Sequence, residues 1–369
     1  MKGKLQRKAT IVTTSELATD YRLLKLSKSL EEAGYLCNFV CRIKDNHLPF
    51  TQSNKKVIYL NTIWQSSPLF YLFYNLRIFF FLIFHKADLI VSIDLDTLVG
   101  CGLAKLFKKS KLLFDSHEYF PESPEINKKP WIKAIWRLAE KLFIPIVDIG
   151  VTVCQPIADI YKRKYNKDFL VIRNAPLSER IAKLEHERKQ NSKFTLLYQG
   201  AVNYGRALKQ LIKAMEYIDN AELIIVGDGD IFNELKTLSI MQRDKITLTG
   251  KVPFEDLPCY TSQADLGIAL LENIGLNNYY ALPNRLFDAL QAELPMLGID
   301  FPEIKRFIKE NNFGTTISSI EPQDIAYAIN QIKNNPKQLY EWRKNASVTK
   351  TKVNWENETA KLKSTLTQL

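Results

Sequence analysis

The sequence predicts two α/β domains, each built around a parallel sheet with helices on both faces. Three observations support this prediction. Short apolar runs alternate with helix-period segments along nearly the whole chain. A charged stretch without a deep apolar face, SERIAKLEHERKQNS, interrupts this alternation at residues 178–192. The length of 369 residues corresponds to about two domains of ordinary size.

In the first half, a strand is predicted at residues 9–13 and a helix at residues 20–33. Asp20 is suited to cap this helix, and Gly34 is suited to end it. The apolar residues of the helix recur at helical spacing and would form one buried face. Further strands are predicted at residues 36–41, 57–60, 88–93, 111–114, 149–153 and 169–172.

The second half repeats the alternation. Strands are predicted at residues 194–198, 222–226, 246–249, 266–271, 295–298 and 315–317, with helices near 207–217, 232–241, 284–292 and 322–332. Ligands of such sheets bind at the carboxyl ends of the strands, where the strand order reverses. Functional residues are therefore expected in the strand-to-helix loops, facing a cleft between the two domains.

The most apolar segment is LFYLFYNLRIFFFLIF, at residues 69–84. It is shorter than the ~20 residues of a membrane span, and Asn75 and Arg77 interrupt it. Two interpretations stay open: a buried helix of an α/β domain, or a helix that dips into a membrane surface through its Phe and Tyr side chains.

Composition excludes several classes of protein. Hydrophobic residues make up 46% and charged residues 25%, which rules out collagen-like, disordered and disulfide-scaffold chains. The five cysteines form no CxxC pair, which indicates no zinc site and a reduced, cytosolic compartment. The N-terminal apolar run is too short for a signal peptide.

The net charge of +11 lies in one half of the chain. Residues 1–190 hold 31 Lys and Arg against 19 Asp and Glu, whereas residues 191–369 hold 20 against 21. This asymmetry suggests an anionic lipid, a nucleic acid or an acidic acceptor as partner. Nucleic acid is disfavoured because no recognisable nucleic-acid-binding motif is present.

Glycine-rich phosphate loops are absent from the first half, where TTSELATD follows the first strand. This argues against an NAD-dependent dehydrogenase, and no Walker A sequence occurs either. In the second half, Gly200 and Gly205 precede a helix whose start carries Arg206, an arrangement suited to bind an anion. The second strand of this half runs into Gly227, so the second half is predicted to bind the nucleotide.

The most informative segment is ENIGLNNYYALPNRLFDALQAELP, at residues 272–295. Asn284 is a suitable N-cap directly after Pro283. Arg285 and Asp288 stand three residues apart on one helix face, where they could hold a phosphate and a ribose. The alternative is an ordinary surface ion pair, which is common at this spacing.

In the first half, FDSHEYFPE follows a strand and places His117 at a strand end, with Asp115, Glu118 and Glu122 close in sequence. This loop is a candidate catalytic element, although a lone histidine is often structural. Two DxD patterns, at residues 94–96 and 228–230, lie after strands of different domains. They are therefore not expected to form one metal site.

Together these segments resemble the retaining family-4 glycosyltransferases with the GT-B fold. The segment NNYYALPNRLFDALQAELP is similar to the donor site of the subgroup with a Pro-Asn-basic-x-Phe-acid run. The loops YQGAVNYGR and VGDGD, the segment at residues 250–271, and residues 18–35, 94–100 and 114–125 also resemble this subgroup. The resemblance covers almost the whole chain.

The resemblance implies transfer of a sugar from a nucleotide diphosphate to an acceptor hydroxyl, with retention and by front-face attack. The leaving diphosphate would take the acceptor's proton, so no metal and no cofactor beyond the nucleotide sugar are implied. Basic groups and backbone amides would neutralise the diphosphate. The implied catalytic residues are His117, Arg206 and Arg285, with His117 reaching the donor sugar. The implied donor-binding residues are Gly200, Gly205, Gly227, Asn277, Asn278, Tyr279, Tyr280, Ala281, Leu282, Pro283, Asn284 and Asp288, with amides around residues 279–282 on the diphosphate and Asp288 on the ribose.

Three positions depart from the family pattern. Tyr280 stands where the wider family often has its first glutamate, and Asn277, Asn278 or Glu272 could substitute for it. Asp288 is one methylene shorter than the usual glutamate. Glu293 replaces a glycine at the helix end.

The expected organisation is an N-terminal acceptor-side domain at residues 1–178, a linker at 179–192, a donor-binding domain at 193–346 and a helical segment at 347–369 that packs back toward the first domain. The expected partners are a nucleotide sugar, a glycan or lipid-linked acceptor of bacterial surface-polysaccharide synthesis, and an anionic membrane surface. The expected location is cytoplasmic, at the inner face of the plasma membrane. The alternatives are a nucleotide-sugar epimerase and a non-catalytic nucleotide-binding scaffold.

Overall fold

We describe the fold from a computed structural model of the chain. The structure describes residues 7–17, 20–42, 55–62, 64, 68–127, 129–178, 193–253 and 256–368, so the predicted linker at 179–192 lies outside the described residues. The chain divides into two compact units. The first unit comprises residues 1–173 and 358–369, and the second comprises residues 174–357.

The first unit contains a seven-stranded parallel sheet in the order β3-β2-β1-β4-β5-β6-β7. Its strands are β1 (Arg7–Val12), β2 (Tyr35–Arg42), β3 (Lys56–Leu60), β4 (Leu89–Ile93), β5 (Lys111–Ser116), β6 (Ile149–Thr152) and β7 (Phe169–Val171). Its helices are α1 (Tyr21–Glu32), α2 (Pro68–Phe84), α3 (Leu95–Phe107), α4 (Pro124–Asn127), α5 (Pro130–Phe143) and α6 (Gln155–Tyr165).

The second unit contains a six-stranded parallel sheet in the order β10-β9-β8-β11-β12-β13. Its strands are β8 (Phe194–Gln199), β9 (Ala221–Val226), β10 (Ile246–Gly250), β11 (Leu266–Ala269), β12 (Met296–Ile299) and β13 (Gly314–Ile317). Its helices are α7 (Leu208–Ala214), α8 (Phe232–Leu238), α9 (Leu257–Gln263), α10 (Leu276–Tyr279), α11 (Asn284–Gln291), α12 (Pro302–Asn311), α13 (Pro322–Lys333) and α14 (Pro336–Thr349). The last helix, α15 (Trp355–Thr367), begins in the second unit and ends in the first.

All thirteen predicted strands are present, each within two residues of its predicted ends. The predicted end signals of α1 are confirmed as well. The Asp20 carboxylate accepts a hydrogen bond from the Leu23 amide, and Gly34 adopts a φ of +89° just after the helix. A left-handed residue at this position lets the chain leave the helix, and glycine adopts it without strain.

The predicted helix at 207–217 is shorter than expected. Ala207 has a φ of +52°, which is incompatible with α-helical geometry, so α7 begins only at Leu208. After Ala214 the chain tightens into a 3-10 turn at Met215–Tyr217. Neither feature has a sequence signal, because alanine is a strong helix former that tertiary contacts override here.

Both sheets reverse their strand order beside their first strand. In the first unit the reversal lies between β1 and β4, and in the second it lies between β8 and β11. The loops after these strands leave the sheet in opposite directions and open a crevice at its carboxyl edge. The loops after β8 and β11 and the helix α11 contain the predicted donor-binding residues except Gly227, which follows β9. In the first unit, the DxD residues at 94–96 begin directly after β4.

Helix α2 corresponds to the apolar segment, and it is not a buried helix. Only Phe70, Tyr74, Asn75, Ile78 and Leu82 of its residues are buried. Six of its large apolar side chains are exposed, which corrects the interpretation as a core helix. Among the described residues, no helix combines the length and the hydropathy needed to cross a membrane.

Candidate active site

The loops after β8 and β9 touch through their backbones. Gly200 donates its amide to the Val226 carbonyl at 2.9 Å, and both Gly200 and Gly227 have φ values that favour glycine, +136° and +140°. A Cβ atom on Gly227 would lie 1.9 Å from the Gly200 carbonyl oxygen. Glycine at 227 is therefore required for the two loops to approach each other, as the sequence motif suggested.

Gly205 joins the loop after β8 to the loop after β11. Its carbonyl accepts hydrogen bonds from the Glu272 amide at 2.9 Å and from Asn278 Nδ2 at 3.3 Å. A Cβ atom at this position would lie 2.4 Å from Ile274 Cδ1. Asn278 is buried and also donates to the Glu272 carbonyl, so it ties the two sides of the crevice together.

The Arg285 side chain lies in the first turn of α11 and is only 9% exposed. Its guanidinium carbon sits 4.2 Å from the centroid of the Tyr198 ring, an arrangement that stabilises a cation. Its Nη1 atom has no hydrogen-bond partner among the residues that the structure describes. Burial lowers the pKa of Arg285, Tyr198 raises it, and the positive charge of Arg206 lowers it further.

Asp288 accepts a hydrogen bond from Gln199 Nε2 at 3.4 Å. Gln199 Oε1 in turn accepts one from Thr261 Oγ1 at 3.4 Å. Because Arg285 is buried and stacks on Tyr198, the surface ion pair with Asp288 is the wrong interpretation. Gln199 was missed from the sequence; its signal is its position as the last residue of the first strand in this unit.

Several backbone amides of the segment before α11 donate hydrogen bonds within their own turn. The amides of Tyr279, Tyr280 and Ala281 donate to the carbonyls of Gly275, Leu276 and Asn278. In this structure these three amides are therefore hydrogen-bonded within the turn, and their binding to a diphosphate stays a prediction. The Tyr279 ring packs against those of Tyr280 and Phe301.

The N-terminus of α11 offers further backbone amides that could bind an anion. Pro283, and not Asn284, occupies the N-cap position, and no side chain caps the helix. The side-chain Oδ1 of Asn284 instead accepts a hydrogen bond from Asn174 Nδ2 at 2.9 Å. An uncapped helix start leaves its first N–H groups available to an anion, and Arg285 lies beside them.

In the first unit, His117 lies between two carboxylates. Its Nε2 is 3.1 Å from Asp115 Oδ2, its Nδ1 is 3.5 Å from Asp94 Oδ2, and its amide donates to Asp94 Oδ1 at 2.8 Å. Burial alone would lower the pKa of His117, but Asp94 and Asp115 outweigh it and raise the pKa to about 9. Burial raises the pKa of Asp94 to about 7, although His117 opposes the shift.

Asp115 is fixed by a second cation, Arg22. The guanidinium donates from Nε to Oδ2 at 3.1 Å and from Nη2 to Oδ1 at 2.8 Å, and both side chains are buried. Burial would raise the pKa of Asp115, but Arg22 and His117 hold it well below its usual range. A bidentate pair of this kind orients the carboxylate that His117 contacts. Arg22 had no sequence signal, because it is 93 residues from Asp115.

Glu122, another predicted neighbour of His117, has a different role. Glu122 pairs with Lys133 at 2.7 Å and with Arg137 at 2.8 Å, so it holds α5 and does not surround the histidine. The DxD residues serve local structure too. Asp96 accepts from Thr14 Oγ1 at 2.6 Å, and Asp230 accepts from the Tyr204 amide at 3.0 Å.

Part of the chain, mostly in the second unit, is similar to a known protein family. Residues 179–349 match the family model described as Glycosyl transferases group 1. No curated protein sequence matches the chain significantly.

Solved structures match the chain over nearly its full length. The sucrose-phosphate synthase of Thermosynechococcus elongatus is 15% identical, with a TM-score of 0.78 and 98% of each chain covered. Alr3699/HepE of Anabaena, solved with UDP and glucose, is 15% identical, with a TM-score of 0.75 and coverage of 98% of this chain and 100% of that chain. A putative UDP-N-acetylglucosamine 2-epimerase of Listeria monocytogenes is 12% identical, with a TM-score of 0.64 and coverage of 99% and 98%. The predicted GT-B fold of two Rossmann-like units is confirmed.

Proposed function

We propose that the chain is a retaining glycosyltransferase that moves a sugar from a nucleoside diphosphate sugar to an acceptor hydroxyl. The observation that carries this proposal is the buried Arg285 guanidinium at the uncapped start of α11, with Nη1 lacking a partner in the described residues. A buried cation with an unsatisfied donor is costly, and a bound anion would complete its hydrogen bonding. The position at the strand-order reversal of a glycosyl transferases group 1 domain supports a nucleotide diphosphate as that anion.

In the proposed mechanism, the diphosphate lies against the first amides of α11 and the loop from Gly200 to Arg206. Arg285 and Arg206 neutralise the charge that develops as the bond from the sugar to the diphosphate breaks. Asp288, oriented by Gln199, holds the ribose hydroxyls. The diphosphate oxygen takes the proton of the attacking hydroxyl on the same face, so the anomeric configuration is retained and no metal or further cofactor takes part.

The proposal extends to the remaining predicted site residues. We keep His117 as the catalytic residue of the first unit, and Asn277, Tyr279, Tyr280 and Leu282 as donor-binding residues through their side chains or positions. Asn278, Gly205 and Gly227 shape the crevice through the contacts described above. Of the structural neighbours, Alr3699/HepE is described in complex with UDP and glucose, which makes UDP-glucose the first donor to test.

For the acceptor, we propose a glycan or lipid-linked sugar of bacterial surface-polysaccharide synthesis. We place the reaction at the cytoplasmic, inner face of the plasma membrane. Support comes from the charge distribution, since residues 1–190 carry 12 more cationic than acidic side chains. A cationic surface attracts membranes rich in anionic lipids and raises the local concentration of a lipid-linked acceptor.

Thermal unfolding of the purified chain with nucleoside diphosphates and nucleotide sugars tests the proposal first. Ligand at ~100 times its dissociation constant should add about 2.7 kcal/mol of stability. Turnover should then require an acceptor and persist in EDTA. Arg285→Ala should lower kcat by about 10²–10³-fold, the loss typical of one oxyanion-type donor. Arg306→Ala is the control, because Arg306 is an exposed arginine of the same unit, paired with Glu303. An Arg285→Ala variant with normal turnover would contradict the role of this side chain.

A second candidate, a nucleotide-sugar epimerase, is supported by the fold shared with the putative Listeria epimerase. It predicts conversion of the nucleotide sugar without an added acceptor. Binding without turnover in any acceptor screen would favour the non-catalytic scaffold. The absence of a thermal shift with every nucleotide would contradict the proposed donor site.

A further inference from the structure

The first unit exposes an unusual number of large apolar side chains on three helices. On α2, the end of α3 and α5, twelve such side chains are at least 40% exposed. We call this set the apolar face: Leu69, Leu72, Phe73, Leu76, Phe80, Phe84, Leu106, Phe107, Trp131, Ile135, Leu138 and Leu142. Single exposed apolar residues are ordinary, but an accumulation on adjoining helices marks an interaction surface.

The three helices form one layer, because α3 packs closely against both of its neighbours. A Cβ on Gly100 would lie 2.5 Å from the Asn75 carbonyl of α2, and one on Gly102 would lie 2.3 Å from the Phe143 ring of α5. Aromatic contacts extend the layer: the Phe79 and Phe107 centroids are 5.8 Å apart, and those of Tyr71 and Trp136 are 5.1 Å apart. The exposed residues of these helices therefore adjoin one another.

Helix α5 has the pattern of a helix that lies on an apolar medium. Trp131, Ile135, Leu138 and Leu142 are spaced four, three and four residues apart, which places them on one side. Its opposite side is buried through Trp136, Ala139, Glu140 and Phe143. This stripe is thus additional to the core-facing side of the helix and is not needed to hold the helix on the sheet.

The exposed charged side chains on α2 and α5 all have one sign. The exposed charged residues of α2 and α5 are Arg77, Arg137 and Lys141. The carboxylates of the three helices, Asp96 and Glu140, are 6% and 0% exposed. A second copy docked symmetrically on this face would bring cations against cations, whereas anionic lipid headgroups would neutralise them.

We propose that the apolar face of α2, α3 and α5 is a membrane-docking surface that inserts into the interfacial layer of an anionic bilayer. The chain would lie on the membrane through this surface, with Arg77 and Lys141 at the level of the headgroups. This inference deepens the membrane location proposed above. It does not depend on sugar transfer, because none of its residues belongs to the proposed active site.

Flotation of the full chain with vesicles tests the proposal. The chain should float with phosphatidylcholine vesicles that contain 30% phosphatidylglycerol, and much less with pure phosphatidylcholine. The double variant Phe80→Ser with Leu138→Ser should lower the partition coefficient by more than about tenfold, since each side chain loses its apolar transfer. Arg77→Gln with Lys141→Gln should lower binding to the anionic vesicles alone, by about fivefold per cation.

A matched control uses equally exposed apolar residues elsewhere. Tyr327→Ser with Met241→Ser removes two side chains of the second unit that are 69% and 91% exposed, and it should leave flotation unchanged. Equal flotation of the Phe80 and Leu138 variant and this control would overturn the proposal. A second outcome would also overturn it: the wild-type chain does not bind vesicles but forms a dimer, and the Phe80 and Leu138 variant does not form that dimer.

The same samples separate this proposal from the proposed function. Thermal unfolding and the nucleotide-induced shift should be the same in the Phe80 and Leu138 variant as in the wild type, because both residues are exposed and outside the donor site. Vesicle binding without any nucleotide effect would remove the enzymatic proposal and keep the docking surface. A nucleotide effect without vesicle binding would contradict the docking surface and keep the enzymatic proposal.

Discussion

At the scale of single residues, burial decides what the charged side chains of this chain can do. Arg285 is nine-tenths buried, stacks on Tyr198 and keeps an unsatisfied Nη1 within the described structure. Lys162, in contrast, pairs with Asp168 at 2.8 Å while both side chains are exposed, 49% and 85%. The exposed pair contributes little to stability. The buried guanidinium, in contrast, would attract a nearby anion strongly, because little water screens its charge.

His117 is a second side chain that can carry a positive charge; it is partly buried, and its neighbours are carboxylates. Its two ring nitrogens face Asp94 and Asp115, which raise its pKa above the ordinary value of 6.5 despite burial. Because folding raises this pKa, protonation of His117 stabilises the folded state. The contribution is complete below about pH 6.5 and is lost as the pH rises through about 9.

We therefore expect His117 to titrate near pH 9 in the folded chain. NMR titration of its Cε1 proton, assigned by comparison with His117→Gln, measures this directly. Asp94→Asn should move the pKa downward, since the charge of Asp94 is one of the main causes that raise it. Asp168→Asn, which removes an exposed carboxylate paired with Lys162, serves as the control. Titration near 6.5 in the wild type would contradict the charged arrangement.

At the scale of elements, the pattern of apolar residues predicted the buried strands. It did not predict the features that depend on loop geometry. All thirteen strands follow from short apolar runs, because a strand covered on both faces must be apolar. The sequence does not show that α2 and α5 are exposed, since an apolar helix has the same composition in a core and on an interaction surface. The hydrogen-bond partners of the Tyr279, Tyr280 and Ala281 amides could not be read from the sequence, because they depend on the turn at residues 275–281.

Glu293 follows the end of α11, at a position where the resemblance predicts a glycine. Glu293 has a φ of +55°, a conformation that glycine adopts without strain. The replacement keeps the turn, and the Glu293 carboxylate pairs with Lys350 at 2.8 Å. Glu293 therefore holds a left-handed backbone conformation at the cost of local strain.

The contact between the loops after β8 and β9 makes Gly227 a sensitive position. Gly227→Ala would place its Cβ 1.9 Å from the Gly200 carbonyl, so one of the two loops must move. We expect a clear loss of stability in urea unfolding and weaker binding of the nucleotide.

Gly250→Ala is the matched control for this change. Gly250 also has a positive φ, +73°, but its added Cβ meets only the Phe232 ring at 3.9 Å. It should cost about 1–2 kcal/mol for the left-handed backbone alone. If the two variants were equally stable, backbone conformation and not loop contact would explain the glycine at 227.

At the scale of the whole molecule, the chain returns to its first unit at the end. Residues 358–369 group with residues 1–173 although the second unit separates them in sequence. Glu358 accepts from the Arg173 side chain at 3.0 and 2.6 Å and from the Arg173 amide at 3.1 Å. Lys363 pairs with Glu32 of α1. Such contacts between distant parts of the sequence cannot be read from local patterns, and the expectation of this packing came from the family resemblance.

The first unit should therefore depend on the last helix for its stability. Leu362 and Leu366 on α15 are fully buried, and truncating a buried leucine to alanine typically costs about 2–5 kcal/mol. In the full chain, Leu362→Ala with Leu366→Ala should lower the unfolding temperature and speed hydrogen exchange in β1 and β4. Lys361→Ala removes an exposed side chain of the same helix and should change neither. Amide exchange in β8 distinguishes the outcomes: faster exchange confined to the first unit supports the grouping of α15 with that sheet. Exchange that rises only in β8 would assign the end of α15 to the second unit.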